Sequence, residues 1–246
     1  MTLTIYKKIP PLNTIDGYKD VLIEECNESL VHLVENAKLR IAYTYFQNSF
    51  EYAEKNCYIR CSVANMLSVA ANNLPNGIVL VVNDGWRPFK VQLEIYNRML
   101  ESIKQIHPNF SEIQLHEETA KFASEGSLNT KMPSPHFTGG SVDVTLANDS
   151  GFELNMGSQF DSCNNESGTR FFEEKSEKGI ELPITDIEAL YNRRILFHCM
   201  IGAGFTNYSN EWWHFDYGNQ LWAKIKNTSA IYGLTKPLSF QGENIL

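Results

Sequence analysis

The chain has 246 residues, 43% of them hydrophobic and 20% charged, with a formal net charge of -8, a composition ordinary for a globular protein able to bury its own core. The acid excess and the lack of any Lys/Arg block leave a nucleic-acid partner without electrostatic footing. The longest apolar run, from Gly77 to Val82, is strand-sized and far short of the roughly 20 residues that cross a bilayer, so no membrane partner is expected. Five cysteines, an odd number, follow an N-terminus without the basic and apolar regions of a secretory signal. That combination points to a reducing compartment, the cytoplasm.

In chain order, residues 17–38 space Leu22, Ile23, Cys26, Leu30, Leu33 and Val34 in a near-helical pattern, which suggests a helix. Residues 39–48 are rich in β-formers. From Tyr58 to Leu74, Val63, Met66, Leu67, Ala70, Ala71 and Leu74 share one helical face, and Pro75-Asn76-Gly77 ends it. Cys57 and Cys61 in this region read as packing residues, because no further soft ligands accompany them. Ile78 to Val82 is a buried strand. It runs into Asp84-Gly85-Trp86-Arg87-Pro88, which places an arginine where it can point into a cleft. Pro88 suits a helix start, with Leu93, Tyr96, Leu100 and Ile103 as the apolar face. Residues 111–125 form a more polar helix. Val142, Val144 and Leu146 alternate with Ser141, Asp143 and Thr145, the pattern of a half-buried strand. Residues 147–182 read as a long irregular excursion. A strong helix capped by Thr185 or Asp186 then carries Ile187, Leu190, Tyr191 and Ile195, and Gly202-Ala203-Gly204 closes it. With no repeat or linker, the reading is α+β: a single compact domain over 1–246, a small and largely antiparallel sheet packed with helices.

Two stretches carry the chemistry. Ser134-Pro135-His136-Phe137-Thr138-Gly139-Gly140-Ser141-Val142-Asp143 sets a histidine seven residues before an aspartate, and the glycines let the loop fold back so that the two meet. Glu211-Trp212-Trp213-His214 adds a second histidine and a glutamate. A His-Asp-His set suits zinc and leaves one tetrahedral position open. A glutamate that is not a ligand could serve as the base. On a regular strand Glu211 and His214 would face opposite ways, so an irregularity is expected around Trp212-Trp213. Taken alone, Trp212-Trp213-His214-Phe215-Asp216-Tyr217 reads better as an aromatic core strand carrying one buried histidine, and a single His-x6-Asp is weak evidence. Both together, with Arg87, favour a metal site. Glycine motifs for phosphates and the Gly-x-Ser-x-Gly elbow are lacking. His198 and Cys199, adjacent on a helix, cannot face each other as a nucleophile pair.

These residues resemble the D-alanyl-D-alanine dipeptidases of the vancomycin-resistance type, zinc peptidases related to the D,D-carboxypeptidases and to the Hedgehog zinc domain. The likeness rests on Ser134-x-His136-x-x-Gly139-x-x-x-Asp143, Asp84-Gly85-Trp86-Arg87-Pro88 and Glu211-Trp212-Trp213-His214-Phe215, with Tyr191-Asn192-Arg193 and Gly204-Phe205 between them. It spans a motif-bearing core of about residues 39–222. The resemblance implies one zinc ion per chain on His136, Asp143 and His214, Glu211 as general base, and Arg87 stabilising the oxyanion. It also implies Asp161 binding the ammonium group of a small dipeptide substrate, and Ser134 holding its carboxylate or shaping the loop. The sequence departs from the family at Thr138-Gly139-Gly140, at Trp86 and at Leu39-Arg40-Ile41-Ala42-Tyr43, where the substrate-side tyrosine is displaced or absent. Two other readings stay open: a D,D- or L,D-carboxypeptidase of cell-wall peptides, and a zinc-binding domain without catalysis. The lack of a secretory signal and the Asp161 wall argue against the first, and Glu211 with Arg87 against the second.

Overall fold

The computed structural model describes residues 5–120, 122–162 and 164–238. Seven strands are placed: β1 (Leu30–His32), β2 (Leu39–Ile41), β3 (Tyr58–Arg60), β4 (Ile78–Asp84), β5 (Ser141–Asn148), β6 (Thr206–Asn207) and β7 (His214–Asp216). The helices are α1 (Thr44–Gln47), α2 (Cys61–Asn72), α3 (Phe89–Ile106), α4 (Glu112–Thr119), α5 (Phe171–Glu177), α6 (Ile184–Gly202) and α7 (Gln220–Lys226). Five strands form one sheet in the order β2-β4-β5-β7-β6, in which only β2 and β4 run parallel, and β1 pairs with β3 in a separate antiparallel ribbon. The fold is α+β. No helix among the described residues is long and apolar enough to cross a membrane.

Strand alternation divides the sheet's two faces. Leu80 and Val82 of β4, Val142, Val144 and Leu146 of β5, and Phe215 of β7 enter the main core with Val63 and Leu67 of α2 and Leu196 and Met200 of α6. The other face carries Ser141, Asp143 and Thr145 of β5 with His214 and Asp216 of β7, all buried. Polar side chains survive there only because they bond to one another, and that is the face on which the chemistry collects. β5 is buried on both faces, not half-buried as its alternation suggested.

The other differences from the sequence reading have local causes. Residues 17–38 hold only a short 3-10 turn, Tyr18–Asp20, before β1. This segment bonds instead to the far end of the chain: the Glu24 and Cys26 amides donate to the Ala230 and Ile231 carbonyls, and the Ala230 amide donates to Leu22. Buried Arg60 reinforces the junction, donating to Glu25 Oε1 and Oε2 and to the Thr138 carbonyl. Such tertiary partners override helical spacing. Arg60 belongs to β3, so α2 begins only at Cys61, which is exposed while Cys57 is buried. In α3 the buried side chains are Val91, Gln92, Tyr96 and Ile103, and Leu93 faces solvent. The polar helix is shorter than 111–125, with Ser111 and Gln114 making a capping box. Helix α6 starts at Ile184 behind Pro183, and its Ile187 and Tyr191 are exposed.

The excursion before α6 contains α5 and is held down from within. Buried Arg193 donates to the carbonyls of Met156 (2.7 Å), Gly168 (2.7 Å) and Glu166 (2.5 Å), and its guanidinium stacks 4.7 Å from the Phe172 ring centroid. One side chain therefore fixes both ends of the loop that carries Asp161. Replacing Arg193 with Met leaves those carbonyls unanswered and should cost about 3 kcal/mol of stability, measured as a lower midpoint in urea unfolding.

Candidate metal centre and active-site cleft

His136 sits in a 3-10 turn, Pro135–Thr138, that reverses at Gly139 with φ 70°. A Cβ at Gly139 would lie 2.3 Å from the Leu30 side chain, and one at Gly140 would lie 2.4 Å from the Tyr217 carbonyl oxygen. Glycine is thus required at both positions, and the turn brings His136 Nε2 to 3.4 Å from Asp143 Oδ2. Asp143 and His214 are direct cross-strand partners in the β5–β7 register, with His214 Nδ1 3.1 Å from Asp143 Oδ1. The expected fold-back of the histidine loop is present.

The tautomers of both imidazoles are set from outside. His136 Nδ1–H donates to the Gly85 carbonyl at 2.8 Å, and a carbonyl can only accept. His214 Nε2–H donates to Asp216 Oδ1 at 3.0 Å. Asp216 in turn accepts from Ser141 Oγ (2.7 Å) and Asn219 Nδ2 (2.6 Å). Burial alone would raise the Asp216 carboxyl, but His214, Ser141 and Asn219 outweigh it and hold it below the ordinary value. The remaining nitrogens, His136 Nε2 and His214 Nδ1, face each other across 3.3 Å, with the Asp143 carboxylate beside them. Three buried ligand atoms lie within 4.8 Å of one another. Two imidazole nitrogens and a carboxylate converging at this spacing form a donor set that fits a metal ion with N/O preference.

Glu211 reaches the same place by the expected irregularity. The chain turns between Tyr208 and His214, with the Glu211 amide on the Tyr208 carbonyl and the His214 amide on the Glu211 carbonyl. Trp212 and Trp213 are buried, the first donating Nε1–H to Ser158 Oγ at 2.9 Å and the second packing against Phe160. With both indoles turned inward, Glu211 Oε2 lies 3.8 Å from His214 Nδ1. Desolvation pushes the Glu211 carboxyl up to about 7, with the neighbouring His214 opposing the shift.

A register shift between Val82 and Asp84 sets Asp84 opposite Asp143, and Arg87 bridges the two carboxylates. Its Nε–H donates to Asp84 (2.7 Å), Nη1 to Gln92 Oε1 (2.6 Å) and Nη2 to Asp143 (3.0 Å). One N–H on each terminal nitrogen is left over, since a guanidinium has five. The guanidinium also lies over the Tyr45 ring, 5.0 Å from its centroid. Burial opposes its charge, but Tyr45, Asp84, Asp143 and Asp161 more than restore it. Asp161, exposed and in the left-handed region with φ 60°, accepts from the Tyr45 hydroxyl at 2.8 Å. Ser134 Oγ accepts from the Ser127 amide at 2.7 Å, which leaves its hydroxyl proton available. A cleft of about 320 Å³ brings Arg87, Ser134, Asp161 and Glu211 together with His136, Asp143 and His214.

Sequence reading missed Tyr45, Gln92, Tyr208 and Asp216 at this site. Asp216 left a usable signal: two residues after His214 on a strand, it shares that side chain's face. Tyr45 arrives from α1 beside Asp161, where no local signal in the sequence placed it. Gln92 left none, being a polar residue on a helix face read as apolar.

A buried His-Asp-His set flanked by an acid and an arginine fits a metallopeptidase, and the family of the chain is one. The chain belongs to the M15 peptidase family: the family model described as D-ala-D-ala dipeptidase matches residues 29–230. It is 28% identical over 221 residues to the D-alanyl-D-alanine dipeptidase of Synechocystis sp., covering 84% of this chain and 88% of that protein. The protein of the same name from Escherichia coli is 25% identical over 169 residues (67% and 69% covered), and that from Enterococcus faecalis is 31% identical over 146 residues (56% and 62% covered).

If Asp216 fixes the tautomer of His214, Asp216→Asn should weaken metal binding about 10- to 100-fold while leaving the unfolding midpoint of the metal-free protein little changed. Competition against a chromogenic chelator reads this directly.

Proposed function

We propose that this metallopeptidase hydrolyses D-alanyl-D-alanine, or a closely related dipeptide, to free amino acids, with one zinc ion held by His136, Asp143 and His214. The observation that carries the reading is the pair of imidazole nitrogens facing each other beside Asp143, with Glu211 adjoining. Zinc in that set would polarise the peptide carbonyl and bring a water's pKa to about 7. Glu211 takes the proton from the attacking water at its carboxylate and passes it to the departing amine, a role suited to a carboxyl raised toward neutrality. Arg87, with two N–H groups to spare and its orientation locked by Asp84, Gln92 and Asp143, faces the charge that develops on the carbonyl oxygen. Asp161, steadied by Tyr45, receives the substrate's ammonium group, and the free hydroxyl proton of Ser134 is available to its carboxylate.

We also propose that residues 1–246 act as one zinc dipeptidase domain with its catalytic core at about 39–222. The pairing of residues 22–26 with 230–231 supports this, since it closes the chain outside that core. A cytoplasmic location is supported by the unpaired state of Cys26, Cys57, Cys61 and Cys199.

One feature favours a carboxypeptidase as the second reading. Past Asp161 the cleft adjoins a depression of about 240 Å³ lined by Ser162, Asn164, Asn165 and Asn210, which shares Asp161, Tyr208 and Glu211 with it. An N-terminal extension could lie there if Asp161 did not bar the way. Zinc-loaded protein should release D-alanine from D-Ala-D-Ala at least about 100-fold more efficiently than from a pentapeptide ending in D-Ala-D-Ala, and the opposite preference would favour the carboxypeptidase. Glu211→Gln should lower kcat on the dipeptide by about 100- to 10,000-fold with zinc content unchanged, measured by D-alanine release with L-Ala-L-Ala as the control substrate. Loss of zinc in that variant would instead make Glu211 a ligand.

A further inference from the structure

A free dipeptide is a zwitterion at neutral pH, and the cleft must answer a carboxylate as well as an ammonium. This inference rests on the dipeptidase reading above. The Lys and Arg side chains lining the cleft among the described residues are Arg87 and Lys19. Arg87 is already bound to Asp84 and Asp143. It can stabilise charge that develops during reaction, but its own charge is compensated before substrate arrives. Lys19 is exposed, its ammonium lies 5.8 Å from the Tyr18 ring centroid, and it pairs with no carboxylate among the described residues.

The position of Lys19 along the cleft follows from Gln220, which is buried in α7. Gln220 Nε2 is within hydrogen-bond distance of the carbonyls of Lys19 (3.1 Å), Val21 (2.7 Å) and Lys131 (3.0 Å). It clips the N-terminal strap to the loop that runs into Ser134. At Asp161 the cleft opens toward the depression lined by Ser162 and Asn164, and neither Lys19 nor Ser134 lines that depression. The cleft lining therefore carries an acid, Asp161, and a base, Lys19. Residues 15–19 lie outside the span 29–230 matched by the family model, yet Ile15, Tyr18 and Lys19 form part of the cleft wall.

We propose that Lys19, whose carbonyl Gln220 ties to the loop leading to Ser134 and whose side chain lines the same cleft, is a specificity residue that pairs with the free carboxylate of the dipeptide's C-terminal residue. Cleavage then depends on a free acid at that end. The cation also orients the substrate, because reversing it would set ammonium against ammonium and carboxylate against Asp161.

The test compares D-Ala-D-Ala with its C-terminal amide, using zinc-loaded wild-type protein, Lys19→Gln and Lys19→Arg. The ratio of kcat/KM for the acid to that for the amide should fall about tenfold in Lys19→Gln, as expected for one charge pair in a partly desolvated cleft, mainly through KM, and should be retained in Lys19→Arg. A ratio unchanged in Lys19→Gln, including the case where both substrates lose activity alike, overturns the assignment of Lys19 while leaving the dipeptidase reading in place. Failure of the wild-type protein to cleave either substrate overturns the dipeptidase reading and this inference with it.

Discussion

Two imidazole nitrogens facing one another across 3.3 Å, in a buried pocket with an aspartate alongside, are an arrangement that a folded chain holds only at a cost in desolvation. Much of the surrounding structure can be understood as the means of holding it. The Gly85 carbonyl and Asp216 each take the outer N–H of one ring. Ser141 and Asn219 hold Asp216. Arg87 stands between Asp84 and Asp143 so that two carboxylates can face each other across neighbouring strands. Each of these contacts orients one of the three side chains or balances its charge, and a divalent cation at the focus would supply what they leave uncompensated.

The backbone makes this possible by being irregular in a few chosen places. The shift near the end of β4 re-aims Asp84, the Gly139-Gly140 turn returns His136 to its own strand, and the turn at Trp212-Trp213 sends two indoles into the core and Glu211 into the cleft. Bulges and tight turns beside an active site commonly serve to redirect side chains. Here the regular parts of β5 and β7 set His214 across from Asp143 by register alone, and the irregular parts add what register cannot reach. Arg193 and Arg60 act farther out, the first tying three carbonyls of the loop that carries Asp161 and the second the Thr138 carbonyl of the turn that carries His136.

How much of this could be read from the sequence depended on whether the cause was local. Strand β4 announced itself through its apolar run, and the alternation of residues 141–146 placed Asp143 on the face away from the valines. The three-residue spacing of Glu211 and His214 was enough to demand a break in the strand, because a regular one would have separated them. Residues 17–38 misled for the opposite reason: their helical spacing was real, but Glu25 and the backbone of residues 22–26 had partners near Arg60 and Ala230, far away in sequence. Tyr45 and Lys19 were likewise invisible as site residues, since nothing near them in the chain says which cleft they will line. Gly202 and Gly204 marked the end of α6 correctly, whereas its start was misplaced because Pro183 did the work expected of Thr185 or Asp186.

The account rests on one metal ion held by His136, Asp143 and His214 with a coordination position left open. X-ray absorption at the zinc edge, combined with metal content by mass spectrometry, tests it most directly. One zinc per chain, with two imidazole nitrogens, one carboxylate oxygen and one exchangeable light ligand, lost on His136→Ala, is the predicted result. A site closed by a fourth protein ligand, a sulfur in the coordination shell, or full zinc retention in His136→Ala would contradict it.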